Sequence, residues 1–174
     1  MNNKIFLKKT CSIYANDLHF ATVIFPFVAK EIENNITIKT ILEKNEEKNI
    51  EKIIKNVGIN LELKNKINNI DWNKSDIQKI KNIFEYLENN NNKNVDIIIL
   101  GKNVFIEKAN KAIDLWLKNN IEKIEKNNIT INVINCFSYN ELEDINYIFN
   151  SHEFILKTSG IHEILNEKSL PFTG

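Results

Sequence analysis
The sequence predicts a three-layer α/β fold, a mostly parallel sheet flanked by helices, in a single domain spanning residues 1–174. Three observations predict it. Short β-rich runs alternate with helically periodic segments along the whole chain, which is the pattern of βα units. Residues 95–100, Val-Asp-Ile-Ile-Ile-Leu, are a nearly unbroken apolar run, as a strand buried on both faces requires, and 129–137 reads as a further buried strand. The chain has 174 residues, 43% hydrophobic and 26% charged, enough to bury a core without a disulfide or a structural metal.

Taken in order, the first strand is expected at residues 10–14. A helix follows at about 18–34, where Ala21, Ile24, Phe25, Val28 and Ile32 recur at three- and four-residue spacing. Pro26 would remove the bond to Thr22 and kink this helix unless its regular part starts nearby. Residues 36–42 form a second strand, and 46–57 a helix stopped by Gly58. Ile59, Leu61 and Leu63 alternate, which suggests a short edge strand within 59–72. Ile77, Ile80, Phe84 and Leu87 give a helix at 74–88, ended by the Asn run at 89–92. Residues 95–100 are expected to be the central strand. Ile106, Ala109, Ile113, Leu117, Ile121 and Ile124 line one side of a helix at 103–126, bent at Asn119-Asn120. A buried strand at 129–137, a helix at 141–149 and a last strand or turn at 152–156 complete the domain, and 164–174 form a tail.

Asn and Ile occur 31 times each, Gln once and Arg never, so all 23 basic residues are Lys, matched by 23 acidic ones. This is the bias of an AT-rich genome, and the Asn-x-Ser/Thr triplets at Asn35, Asn73 and Asn128 need no functional reading. Zero net charge without Arg argues against nucleic acid, which asks for a cationic excess and bidentate guanine readout. Lys118, Lys123 and Lys126 are interleaved with Glu122 and Glu125 and read as a solvated face. No apolar run approaches the roughly 18–20 residues of a membrane span. The run at 20–29 follows Asn16, Asp17 and His19 and is no signal-peptide core. A cytoplasmic protein with Cys11 and Cys136 reduced is therefore expected. The ending Leu170-Pro171-Phe172-Thr173-Gly174 looks like a sortase signal. It lacks the hydrophobic segment and positive tail that make one work, and is read as coincidence or a cloning boundary.

Ligands of open α/β sheets bind outside the carboxyl ends of the strands. That rule selects Tyr14, Asn16, Asp17 and His19, then Glu43 to Asn45, Gly101 to Asn103, and Ser138 to Asn140. Asn16, Asn45, Asn103 and Asn140 are also good helix N-caps, and capping is their first reading. Glu43, Lys102 and Tyr139 are not cap types, and Lys102, just past a buried strand, is an obvious anion or carbonyl partner.

Enzyme templates are missing. Glycines occur only at 58, 101, 160 and 174, so neither a dinucleotide fingerprint nor a P-loop can be written. There is no nucleophile elbow. His19, Cys136, His152 and His162 would form a metal site only if the fold gathered them, since no pair has zinc-ligand spacing. Cys136, between Ile134 and Phe137, reads as an inert core thiol.

Near the N-terminus, Cys11-Ser12-Ile13-Tyr14 precedes a helix ending Val28-Ala29-Lys30-Glu31-Ile32-Glu33-Asn34 and then a strand. Near the C-terminus, Ile131-Asn132-Val133-Ile134-Asn135-Cys136-Phe137-Ser138-Tyr139 leads to Asn150-Ser151-His152-Glu153-Phe154-Ile155-Leu156. In this order the segments, over about residues 11–163, resemble the MEDS domain, a sensory domain named for methanogens, methylotrophs and a dichloromethane-responsive repressor. Tyr14, Gly101, Cys136, Tyr139 and His152 match its short patterns. Cys11 stands where the family opens with His, Asn140 displaces an Asp, Glu153 replaces a Pro after His152, and Lys102 replaces a Glu after Gly101. The resemblance implies a degenerate RecA-like, Rossmann-like unit without ATPase loops that senses small organic molecules. Such domains are joined to histidine kinases, DNA-binding helices or anti-sigma kinase domains.

The expectation is a non-enzymatic cytoplasmic sensory or regulatory module. It binds a small organic ligand through Tyr14, Asp17, His19, Glu43, Gly101, Lys102, Tyr139 and His152. Lys102 is the anion partner, and the Tyr and His groups are hydrogen-bond donors. With no output domain of its own, it signals through a histidine kinase, anti-sigma or DNA-binding protein. No cofactor, metal, nucleic acid or membrane is expected, and a homodimer is compatible. One alternative is a ligand-free interaction module anchored by Trp72, Trp116, Phe154 or Leu170. The other is a small hydrolase or transferase pairing Asp17 or Glu43 with His19.

Overall fold
The computed structural model describes residues 7–72, 80–89 and 93–164. The described elements are β1 (Leu7–Tyr14), α1 (Asp17–Glu33), β2 (Thr37–Leu42), α2 (Glu46–Asn56), α3 (Leu61–Asn68), α4 (Ile80–Asn89), β3 (Asn94–Leu100), α5 (Asn103–Asn127), β4 (Thr130–Ser138), α6 (Ile145–Ser151), β5 (Phe154–Lys157) and β6 (Gly160–Glu163). The strands form one sheet in the order β2-β3-β4-β1-β5-β6, parallel except for β6, which closes a hairpin with β5.

The strong Ile and Val content of the interior strands follows from burial on both faces. Along β3, Val95, Ile97 and Ile99 face the layer of α4, α5 and α6, while Ile98 and Leu100 face α1, α2 and α3. The side chains of β4 divide likewise, Ile131, Val133 and Phe137 against Ile134 and Cys136. β1 pairs with β4 in register from Leu7 opposite Ile131 to Tyr14 opposite Ser138.

The fold class is as expected, with four differences in detail. β3 is not central: it lies between β2 and β4, and β4 and β1 occupy the middle. Ile59, Leu61 and Leu63 do not form a strand. Asn60 accepts from the Leu63 amide at 2.8 Å and starts α3, whose buried Ile67 and partly buried Leu63 lie four residues apart while Leu61 is exposed. The helix expected at 141–149 begins at Ile145, after a 3-10 turn at Tyr139–Glu141, because Asp144 caps Asn146 at 2.8 Å. Helix α1 runs unbroken from Asp17 through Pro26.

Helix α5 has its non-helical residue at Asn120 (φ −129°, ψ 17°), in the expected Asn pair. Trp72 is buried and donates from Nε1 to the Ile67 carbonyl at 2.8 Å, so it is a core residue rather than an exposed anchor. Trp116 stacks on Phe84 with ring centroids 3.5 Å apart. Phe154 is partly buried beneath the Lys8 ammonium. The helix expected over residues 74–79, the Asn run at 90–92, the triplet at Asn73, Leu170, the terminal motif and all but the first residue of the tail lie outside the described residues. No described helix is long and apolar enough to cross a membrane.

Candidate functional site
The chain leaves β1 toward the far edge of the sheet, whereas β2, β3 and β4 each lead in the opposite direction. The reversal lies between β1 and β4, and a right-handed crossover puts α1 on one face and α4, α5 and α6 on the other. Crevices for ligands open at such a reversal, outside the carboxyl ends of the strands. One is present there, a cavity of about 590 Å³. Its base is Phe20, Ile53 and Leu100, and its polar lining is Tyr14, Asn16, Asp17, Glu46, Asn49, Ser138, Asn140 and Glu141.

Two helix N-termini, those of α1 and α2, converge on the crevice. Each already has a carboxylate in its first turn, Asp17 and Glu46, which offsets the positive end of the helix dipole. A phosphate would meet these carboxylates and Glu141 instead of free N–H groups. Among the described residues lining the crevice there is no Lys or His. Glu46 is half-buried, and burial together with Glu43, Glu141 and Asp17 holds its carboxyl above the usual range, against the Asn49 amide that donates to it at 3.0 Å. Tyr14 packs edge-on against Phe20. Burial, then the neighbouring Cys136 thiol and the Glu46, Glu141 and Asp17 carboxylates, push its phenol up, so it stays protonated and able to donate. The arrangement suits a positively charged or hydrogen-donating guest.

The residues selected from the sequence fall into separate places. Tyr14 and Asp17 line the crevice. His19 does not: Asn16 accepts from its backbone amide at 2.9 Å, and its Nδ1 accepts from the Ala15 amide at 3.1 Å. Both bonds secure the start of α1, the first as its N-cap and the second on the residue before it. His19 Nδ1 is thereby engaged by the backbone. Glu43 accepts from the backbone amide of Lys102 at 2.7 Å and lies against Gly101, where a Cβ would come 2.7 Å from both the Glu43 Cβ and the Phe105 ring. Gly101 is therefore a packing requirement. The side chain of Lys102 is exposed and lines neither the crevice nor any other described cavity, so the anion-partner role does not follow. Tyr139 is 57% exposed on the rim.

His152 sits on the opposite face of the sheet, in a cavity between α5 and α6. Its Nδ1 donates to the Ile148 carbonyl at 2.8 Å and lies 3.0 Å from the Ser151 hydroxyl, and its Nε2 accepts from Asn135 at 2.9 Å. Burial lowers its pKa. Cys136 is buried on the α1 side, and burial pushes its thiol up, while the Cys11 thiol is pushed up to about 12. His162 is bonded to Ser159 on the β5–β6 hairpin. The four residues weighed as metal ligands are thus apart, and no group of three His, Cys, Asp or Glu side chains among the described residues is placed to hold a metal.

Of the expected caps, only Asn16 caps through its side chain. Asn45 is left-handed at φ 79°, Asn103 is the first helical residue and donates to the Glu141 carbonyl at 3.1 Å, and Asn140 lines the crevice. Glu46, Asn49 and Glu141 were not selected from the sequence. The helical spacing of Glu46, Asn49 and Ile53, which puts all three on one face of α2, is the signal that marks them. No family model, curated protein or solved structure matches the chain.

Proposed function
We propose that this protein is a non-enzymatic sensory module, of the kind the MEDS resemblance implies, working in the cytoplasm. It binds a small organic amine in the crevice between the ends of β1 and β4 and passes that state to a partner protein. The observation that carries this reading is the convergence of Asp17, Glu46 and Glu141 with the protonated Tyr14 phenol at the reversal of strand order. Carboxylates there favour an ammonium, the Tyr14 phenol oxygen and the side-chain carbonyl oxygens of Asn49 and Asn140 accept from it, and Phe20 and Ile53 receive its carbon skeleton. Leu18 and Tyr139, both more than half exposed at the same end of the sheet, supply apolar surface for the partner.

Native mass spectrometry of the purified protein beside its denatured mass would show any retained molecule. A thermal-shift comparison of butylamine with butyrate then tests the class. Butylamine is expected to raise the Tm and butyrate to leave it unchanged, with Glu46→Gln abolishing the response. Equal responses to both, or a response that survives Glu46→Gln, would overturn the crevice assignment.

A further inference from the structure
The cavity holding His152 lies apart from the crevice, on the other face of the sheet. It measures about 450 Å³, within the usual range of small-molecule sites, and lies between α5 and α6 over β4. Ile106, Phe137, Leu142 and Ile148 make its walls, and Val104 and Tyr147 flank its mouth, both more than half exposed.

Its floor is polar and fully specified. Asn135 is 1% exposed. The carbonyl of Ile106 accepts from the Asn110 amide at 2.8 Å, and that of Ile148 accepts from His152 Nδ1. A carbonyl cannot donate, so these two ends fix the orientation of everything between them. Asn110 directs its other hydrogen to Asn135 Oδ1 at 2.8 Å, and Asn135 gives its two hydrogens to Asn110 Oδ1 at 3.2 Å and His152 Nε2 at 2.9 Å. Every N–H of the three side chains is thereby engaged. What remains is acceptor capacity, one lone pair on each of Asn135 Oδ1 and Asn110 Oδ1.

The rim has the same bias. Glu107, Asp114, Glu143 and Asp144 outnumber Lys9 and Lys111, and Lys9 is held by Asp114 at 2.9 Å. We infer that the cavity binds a compact apolar molecule bearing one hydroxyl or amino donor. The carbon body fills the space between Phe137, Leu142 and Ile148, and the donor reaches the pair at Asn110 Oδ1, on the less buried of the two residues. At the Asn135–Asn110 pair a carbonyl or carboxylate guest would find only acceptors.

Cyclohexanol and cyclohexanone have nearly the same shape and differ in the feature this floor reads. Each is titrated into the ¹⁵N-labelled full chain and followed by amide chemical shifts. Cyclohexanol is expected to give saturable shifts centred on Phe137, Leu142 and Ile148, with a Kd about five-fold below that of cyclohexanone, the worth of one neutral hydrogen bond. Val104→Trp, at the exposed mouth, is expected to abolish them. Equal affinities, no saturable shift, or shifts centred on Tyr14, Asn49 and Asn140 would overturn the inference. The alcohol-to-ketone contrast needs no variant, so it decides the matter even if Val104→Trp fails to fold. The amine test of the crevice can fail without affecting this result.

Discussion

Asn135 donates a side-chain hydrogen to Nε2 of His152 across 2.9 Å, which leaves the imidazole neutral with its single proton on Nδ1. The chain Ile106–Asn110–Asn135–His152–Ile148 ties the first turns of α5 and the last of α6 to the middle of β4. It is a buried polar connection in a layer otherwise held by apolar packing.

Replacing His152 by Leu removes the acceptor for a buried amide hydrogen. The expected loss is about 1–3 kcal/mol, read from urea denaturation at pH 8.

The same residue gives the domain an acid limit. Burial, and less strongly Lys9, lower its pKa, outweighing the Ile148 hydrogen bond and Glu153. The unfolded imidazole takes up a proton near its ordinary 6.5 while the folded one resists, so its contribution is complete above that pH and is lost as the pH falls below it. Urea midpoints at pH 7.5 and 5.5 should therefore differ more for the wild type than for His152→Leu.

Asp96 works in the other direction. It is 4% exposed on the α1 side of β3, and its Oδ2 has no hydrogen-bond partner. Burial and the adjacent Glu31 push its carboxyl up from 3.8 to about 7, against a hydrogen bond from Asn132 and the charge of Lys8. Between these values the folded state holds a proton that the unfolded state releases, so the contribution of Asp96 to stability is most favourable below about pH 4 and is lost as the pH rises toward 7. Asp96→Asn is expected to stabilise the protein at pH 8, by up to about 4 kcal/mol, and to change little at pH 4. Chemical denaturation of both proteins at the two values checks it.

Gly101→Ala forces a methyl group against the Glu43 Cβ and the Phe105 ring, both 2.7 Å from where it would sit. Neither is the free end of a flexible chain. A loss of about 1–3 kcal/mol is expected, visible as a lower Tm.

Asn16→Ala should cost about 1 kcal/mol through the lost cap on α1. His19→Ala should cost less, because only the Ala15 amide, exposed to water, loses its partner. Urea midpoints of the two variants give the order.

The alternation of strands and helices was legible because strands buried on both faces are largely apolar, as residues 95–100 are almost throughout and 129–137 are at six of nine positions. Their order was not, since two buried strands do not say which one β1 joins. The segment after Gly58 was misread because Ile59, Leu61 and Leu63 fit a period of two. Ile59, Leu63, Ile67 and Ile70 fit a helical spacing equally well, and the Asn60 cap decides between them. The carboxyl-end rule located Tyr14 and Asp17. It could not separate Glu43 and Lys102, whose roles are local packing and a backbone bond, from Glu46 and Glu141, whose side chains face the crevice. His152 was selected by resemblance and lies on the other face. Asp96 passed unremarked inside an apolar run, where a single carboxyl carries no periodic signal.

The residue-by-residue pairing of β1 with β4 has a consequence for biosynthesis. The strand at the heart of the sheet is made well before both of its neighbours, β4 and β5, with most of the domain lying between them in the chain. Until Ser138 has left the ribosome, Cys11, Ile13 and Tyr14 have no ladder to join, and the first α/β unit waits with its inner face open. Such long-range closure is slow and leaves the nascent chain open to misassociation. A chain halted before β4 should therefore be aggregation-prone, and assembly of this domain should wait for the synthesis of its last strands.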